Sequence, residues 1–384
     1  IESIDFKGNL IIPKGATSYD LTGKYIIPGL IDAHVHITHG TLKEAQEHLH
    51  LALKSGVTGV RDMGGDGRML TLLKKNMHIG EDIGPDVFFS TIIAGPEFFI
   101  NDPRPQSVAK GAKAGEVSWQ RAITHQTDFK QVIAEAKGLG ATAIKVYLNV
   151  DKDLFKKVAD EAKRQGLKVW SHAAVPPTKA IDITNGGSEF MSHAGDMVQY
   201  EFVKGDLKGR HSFKTRKEAL AYRKKVYAKK WNKDTKEVKR LFTAMKRNNS
   251  ILDATMFVYT FGLDKPIKGR KIDSTRYKIA SKTVKIAHNY GVKIGAGSDH
   301  MISDDKTINI HKELELLTFA GLSNIDAIRA ATIVNAEGLG EEKNIGSIEK
   351  GKLANLVILN ANPLDDINNT KDIKIVIKRG KIID

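Results

Sequence analysis

The chain has 384 residues, a hydrophobic fraction of 41%, a formal net charge of +15 and no cysteine. That length suits one large domain with a small accessory one, and no run of 18 apolar residues is present to span a membrane. The missing thiols exclude disulfides, thiolate ligands and cysteine nucleophiles and leave the redox compartment open, so any metal must be held by histidine, carboxylate or modified lysine. The first residue is Ile1 rather than Met. The expected location is therefore the cytoplasm or, if an N-terminal signal was removed, the periplasm or exterior.

In chain order, IESIDFKGNLIIPKG reads as short strands punctuated by glycine. Apolar, β-branched strands then alternate with helical patterns: GLIDAHVHI (29–37), GVTGVRD (56–62), DVFFSTI (86–92), ATAIKVYL (141–148), LKVWSHA (167–173), SEFMSHA (188–194), SILDATM (250–256) and VKIGAGSD (292–299). Eight such strands predict an α/β fold, a (β/α)8 TIM barrel over residues 28–344. The helix between Asp151 and Gln165 gathers Leu154, Phe155, Val158, Ala159 and Ala162 on one stripe and ends at Gly166.

A basic helical insertion is expected at about 204–250. From Lys204 to Arg247 there are 17 Lys or Arg against 4 Asp or Glu, so the rest of the chain is close to neutral. Leu220, Val226, Tyr227, Trp231, Val238, Leu241, Phe242 and Met245 recur there at helical spacing. A solvated face is the expected reading, with a polyanion-binding surface as the rival and nucleic acid not an expected partner. The tail returns to strands, GKLANLVILN and DIKIVIKRGKIID. Residues 1–27 and 345–384 are expected to pair into one small β-sandwich.

Strand parity directs the polar residues. In the first barrel strand Ala33, Val35 and Ile37 suit the helix layer, which turns His34 and His36 inward. In the fourth, Ile144, Val146 and Leu148 face out and Lys145 faces in. In the eighth, Lys293, Gly295, Gly297 and Asp299 face in, and His172 and His193 end the fifth and sixth strands. Active sites lie at the carboxyl ends of barrel strands, so His34, His36, Lys145, His172, His193 and Asp299 converge on one rim. Lys145 to His172 is 27 residues and His172 to His193 is 21, each about one βα unit. Four imidazoles and a carboxylate are ligands for zinc-like ions. A buried Lys145 beside such ions is either neutral or carboxylated by carbon dioxide to a bridging carbamate. Tyr147 faces the same cavity as a candidate substrate donor; His39, His125 and His300 are expected on the surface.

These residues resemble the amidohydrolase superfamily of metal-dependent hydrolases, in the branch with a binuclear centre bridged by a carboxylated lysine. His34 and His36 match its HxH, Lys145 its bridging lysine, His172 and His193 its later histidines and Asp299 its aspartate. The runs AIRAATIVNAEGLG (327–340) and IGSIEKGKLANLVIL (345–359) resemble its barrel end and sandwich start. Imidazolonepropionase-like and Xaa-Pro dipeptidase-like members are the most similar. Asn355 stands where the tail pattern has Asp, and IIAGPEFFINDPRPQ lacks the histidines that peptidase-like members carry after the third strand.

The resemblance implies two divalent ions, Zn2+ by expectation, held by His34, His36 and Asp299, by His172 and His193, and jointly by a carbamate on Lys145. It implies hydrolysis of an amide or other C–N bond in a small peptide, N-acyl amino acid or cyclic amide by a metal-bridging hydroxide, with Asp299 shuttling the proton. An ester or lactone substrate for the same centre is the alternative, and a noncatalytic polyanion-binding scaffold the third reading. The partner expected is a small-molecule substrate, with a homo-oligomer left open.

Overall fold

The computed structural model describes residues 1–5, 12–209, 212–260, 274–301 and 308–383. Its strands are β1 (Tyr25–Pro28), β2 (Leu30–His36), β3 (Val57–Asp62), β4 (Asp86–Ala94), β5 (Glu116–Val117), β6 (Gln120–Ala122), β7 (Ala143–Val146), β8 (Lys168–His172), β9 (Phe190–Ser192), β10 (Ile251–Asp253), β11 (Ile294–Gly295), β12 (His300–Met301), β13 (Leu356–Leu359), β14 (Ile373–Lys378) and β15 (Lys381–Ile383). Each of the eight predicted barrel strands overlaps an observed one, the last of them β11, and β12 follows directly after the predicted end at 299.

Those strands form one curled parallel sheet in the order β11-β10-β9-β8-β7-β4-β3-β2-β12. β11 pairs with β10 (Leu252↔Ile294) and β12 with β2 (His300↔Val35). Between β11 and β12, Ala33 N donates to the Ala296 carbonyl at 3.0 Å. One segment thus hydrogen-bonds to both ends of the strand series. Helices connect the strands, as a parallel sheet requires. The predicted helix is Lys152–Arg164; the Asp151 carboxylate accepts from Asp153 N and Leu154 N, the apolar stripe is buried, and Gly166 leaves the helix at φ +83°.

The insertion is helical at Arg216–Tyr227 and Lys236–Arg247. The second helix buries Val238, Leu241, Phe242 and Met245, as its stripe predicts, whereas Leu220 of the first lies exposed. None of the described helices is long and apolar enough to cross a membrane.

Both chain ends meet in an antiparallel sheet, β1-β13-β14-β15, with Tyr25 opposite Leu359 and Leu356 opposite Ile377. Residues 6–11 of the predicted N-terminal strands lie outside the described residues, and 1–5 and 12–15 form no strand. Among the described residues this is one sheet rather than two facing layers. Val357, Leu359 and Ile367 share a buried cluster with the parallel sheet and its helices. Gly56 fits against Val357 and Ile373 so closely that a Cβ there would stand 3.1 Å from the valine methyl. The antiparallel sheet is thereby packed against the larger domain.

Candidate active site

The alternation in β2 holds only in part: Val35 and Ile37 join the buried cluster shared with the helices, whereas Ala33 packs with Trp170 and Phe190, and the register shifts between Asp32 and Val35. His34 and His36 turn to the cavity side. His34 Nε2 lies 3.4 Å and His36 Nε2 3.3 Å from Asp299 Oδ1. His193 Nδ1 lies 3.8 Å from Asp299 Oδ2. The His193 ring centroid is 5.0 Å from that of His34 and 4.4 Å from that of His172. His34, His193 and Asp299 offer ligand atoms all within 4.8 Å of one another. A cavity of about 250 Å³ opens over the group, lined by His36, Lys145, Tyr147, His172, His193 and Asp299 among others. The structure thus brings together every residue that parity placed on the rim, from β2, β7, β8, the end of β9 and the segment between β11 and β12.

Glycine makes this approach possible. A Cβ on Gly297 would fall 2.6 Å from His34 Cβ and 2.5 Å from Asp253 Oδ1, so a side chain there would expel the imidazole. Lys293, expected to face in, instead pairs with Glu337 at the partly exposed foot of the strand. His193, Thr255 and Asp299 all adopt positive φ, at 80°, 46° and 51°. Such backbone is costly for residues other than glycine, most of all for β-branched threonine, and collects at functional sites.

Burial sets the charge state of the cluster. It holds the His34 and His193 imidazoles well below the usual histidine range and His172 down to about 4, so all three are neutral near pH 7. Asp299 goes the other way. Burial alone would raise it, but His34, His36 and Lys145 hold its carboxyl far below the normal range. Burial pushes the Lys145 ammonium down to about 8, and its Nζ donates to the Met63 carbonyl at 3.0 Å. Neutral imidazoles around an ionised carboxylate fit a divalent cation of the zinc type. The unpaired atoms fit it too: His34 Nε2 and His36 Nδ1 are buried without a hydrogen-bond partner among the described residues.

Sequence reasoning missed the groups that hold these ligands. Asp253, in β10, takes His34 Nδ1, and the fully buried Arg61 of β3 reaches the same carboxylate. Arg61 is clamped between aromatic faces, 3.8 Å from the Phe190 centroid and 4.7 Å from that of Trp170. Asp32 accepts from Ser298 N at 2.9 Å and Ser298 Oγ at 2.6 Å and so fixes the backbone before Asp299. Period-2 parity did place Asp253 in a strand; the missing signal was a partner on another strand.

Two surface expectations are corrected. His39 lines the cavity, 5.8 Å from the His36 ring, and burial pushes it down to about 4. His300 is buried and stacks on His48 with centroids 4.7 Å apart, because β12 folds it beneath the helix Leu42–Lys54. His125 is on the surface, 2.8 Å from Asp151. Tyr147 faces the cavity with its ring edge-on to His172 and Phe98, and Arg104 hydrogen-bonds its hydroxyl. The histidine-free segment after β4 forms the short helices Pro96–Asn101 and Pro103–Ala109 and supplies Phe98, Arg104, Pro105 and Val108 to the wall. Asn355 stands apart from the cavity, accepting from Arg379 N within the antiparallel sheet.

Comparison with known proteins follows this geometry. The chain is 51% identical over 47 residues to an adenine deaminase of Methanoculleus marisnigri, and 34% identical over 96 residues to a 5'-deoxyadenosine deaminase of Methanobrevibacter smithii. These matches span 12% and 23% of this chain and only 9% and 22% of those two relatives. The fold is similar to that of a Xaa-Pro dipeptidase solved with bound methionine in its active site, at a TM-score of 0.70 and 22% identity, covering 96% of this chain and 90% of that one. The sequence profile of the Amidohydrolase family matches residues 25–383, nearly the whole length. On that match, joined to the convergent histidines and aspartate, the chain belongs to the amidohydrolase family.

Proposed function

We propose that the protein is a metal-dependent hydrolase of C–N bonds, acting on a small peptide, an N-acyl amino acid or a cyclic amide. The observation that carries this is the Asp299 carboxylate, set 3.3 to 3.8 Å from three imidazoles at the foot of an apolar-walled cavity. The architecture inferred with it is a complete (β/α)8 barrel over 28–344, supported by the Ala33 to Ala296 hydrogen bond. An accessory domain drawn from the two chain ends is supported by the antiparallel sheet β1-β13-β14-β15.

His34, His36 and Asp299 would hold one divalent ion and His172 and His193 a second, with zinc suited to the nitrogen-rich set. Lys145 is suited to bridge them as a carbamate. With its pKa near 8 about a tenth of the amine is neutral at pH 7, and that form adds to carbon dioxide to give the carbamate and one proton. When bound, such ions supply a nucleophile at neutral pH and polarise the scissile carbonyl. Asp299, ionised and central, takes the proton released by the attacking water and returns it to the leaving nitrogen. Tyr147, its ring held by Phe98 and His172, orients the substrate.

The test is zinc content per chain together with turnover of N-acyl amino acids, dipeptides and cyclic amides, set beside esters, lactones, adenine and 5'-deoxyadenosine. Two ions per chain with turnover in the C–N set supports the reading. Turnover confined to esters and lactones moves the substrate class. Metal-free protein without turnover, binding nucleic acid in a salt-dependent way, overturns it.

A further inference from the structure

The cavity is flanked by two guanidinium groups that the proposed chemistry does not use. Arg104 lies on the side of Lys145 and Tyr147. Its Nε and Nη2 both bond Asp102, at 2.9 and 2.7 Å, and it also reaches the Tyr147 hydroxyl. That fork is engaged. Arg276, on the helix Ser274–Asn289, lies on the opposite side, near enough to His172 and His193 to lower their basicity. Its bonding is incomplete.

Arg276 Nη2 donates to Asp196 Oδ2 at 2.6 Å. The other oxygen, Oδ1, is taken by the Tyr227 hydroxyl, which arrives from the basic insertion. Tyr227 thus occupies the atom that would otherwise make the arginine pair bidentate. Arg276 Nε is left buried with no hydrogen-bond partner among the described residues. The guanidinium also packs over the Tyr259 ring at 4.9 Å, and the Tyr259 hydroxyl is tied down by Gly195 N at 3.0 Å. The guanidinium is therefore a permanently charged donor in the wall of a cavity that also presents the apolar side chains Ile92, Phe98, Val108 and Val258. A buried donor left unmet is costly, and a guanidinium answers a carboxylate better than a neutral amide.

We infer that Arg276 recognises a free carboxylate on the substrate, so that the protein takes acids bearing an apolar side chain, such as N-acyl amino acids, in preference to their neutral amides. This rests on the hydrolase reading of the same cavity. The insertion then has a positioning role: through Tyr227 it occupies Asp196 Oδ1 and leaves Arg276 bonded to Oδ2 alone.

The experiment compares zinc-loaded protein on a panel of N-acetyl amino acids with apolar side chains and on the matching C-terminal amides, by turnover and by calorimetric binding. The acid should be preferred in kcat/KM on the order of 100-fold, the worth of one or two charged hydrogen bonds. Arg276→Met should bring that ratio to within about threefold of one. Arg276→Lys, which keeps the charge and serves if the methionine variant does not fold, should lower the ratio at least about tenfold. Equal turnover of acids and amides, or a ratio untouched by either variant, overturns the inference and leaves the hydrolase reading standing. Binding of acids over amides without any turnover sustains the inference and defeats the hydrolase reading. Neither binding nor turnover of the two panels defeats both for this substrate class.

Discussion

A single oxygen of Asp253 joins the histidine cluster of the cavity to its foundation: Oδ2 accepts His34 Nδ1 at 2.8 Å. The same atom receives Arg61 Nη2 at 2.8 Å and Ser192 Oγ at 2.7 Å. This arrangement fixes the His34 tautomer and leaves Nε2 as the free ligand atom. Asp253→Asn should therefore weaken zinc binding by about 10- to 100-fold. Because Arg61 is left buried without its counter-charge, the metal-free variant should also lose about 3 kcal/mol of stability. Zinc titration calorimetry and urea unfolding read the two effects separately; both unchanged would deny Asp253 its supporting role.

Lys145→Ala should lower metal content and activity together, since the proposed carbamate contributes to both ions. Bicarbonate should partly restore metal uptake by stripped wild-type protein and do nothing for the variant. Metal analysis of the purified proteins decides, and full occupancy in the variant would remove the bridge.

Asp299→Asn preserves the side-chain shape and removes the proton carrier. Turnover should fall by about 10² to 10⁴-fold, and the far-ultraviolet circular dichroism should remain that of the wild type. Wild-type kcat in the variant would contradict the shuttle.

His311 offers a pH test away from the cavity. Its ring links the Ser55 carbonyl, at 2.9 Å, to Thr370 Oγ1, at 3.0 Å, and burial pushes its pKa down to about 4. The unfolded chain, with an ordinary histidine near 6.5, binds the proton more readily. Stability is therefore fully present above about pH 6.5 and drains away as the pH falls towards 4. Between pH 7 and pH 5 this one group accounts for about 2 kcal/mol. His311→Gln should flatten that part of the stability profile of the metal-free protein, read by urea unfolding at the two pH values; an unchanged slope would assign the loss elsewhere.

Much of this was legible before any coordinates. Period-2 alternation separates Val35, Ile37, Ile144 and Val146, which pack with the helices, from His34, His36 and Lys145, though the register shift between Asp32 and Val35 takes Ala33 out of the pattern, and Gly297 marks the narrow approach. What could not be read depended on contacts between strands distant in sequence. Asp253 and Arg61 each sit in an ordinary-looking strand, and only their pairing shows that they support His34. His39 and His300 differ from expectation for separate reasons: His39 lies in a loop, which carries no parity, and His300 lies in the short strand β12, which the sequence pattern does not mark. The small sheet joining both chain ends is legible in the strand composition of the two ends, and the described residues show it as β1-β13-β14-β15.

The bond between Asp32 and Ser298 spans 266 positions of the chain. It implies an order of assembly. During synthesis, the early histidines emerge long before the aspartate that gathers them, so no shorter nascent chain holds a competent centre. Folding to the productive state must wait for that remote closure, which is slow in entropy-dominated, high-contact-order topologies. Catalytic power would therefore arise late and all at once, a safeguard against premature chemistry by half-made protein.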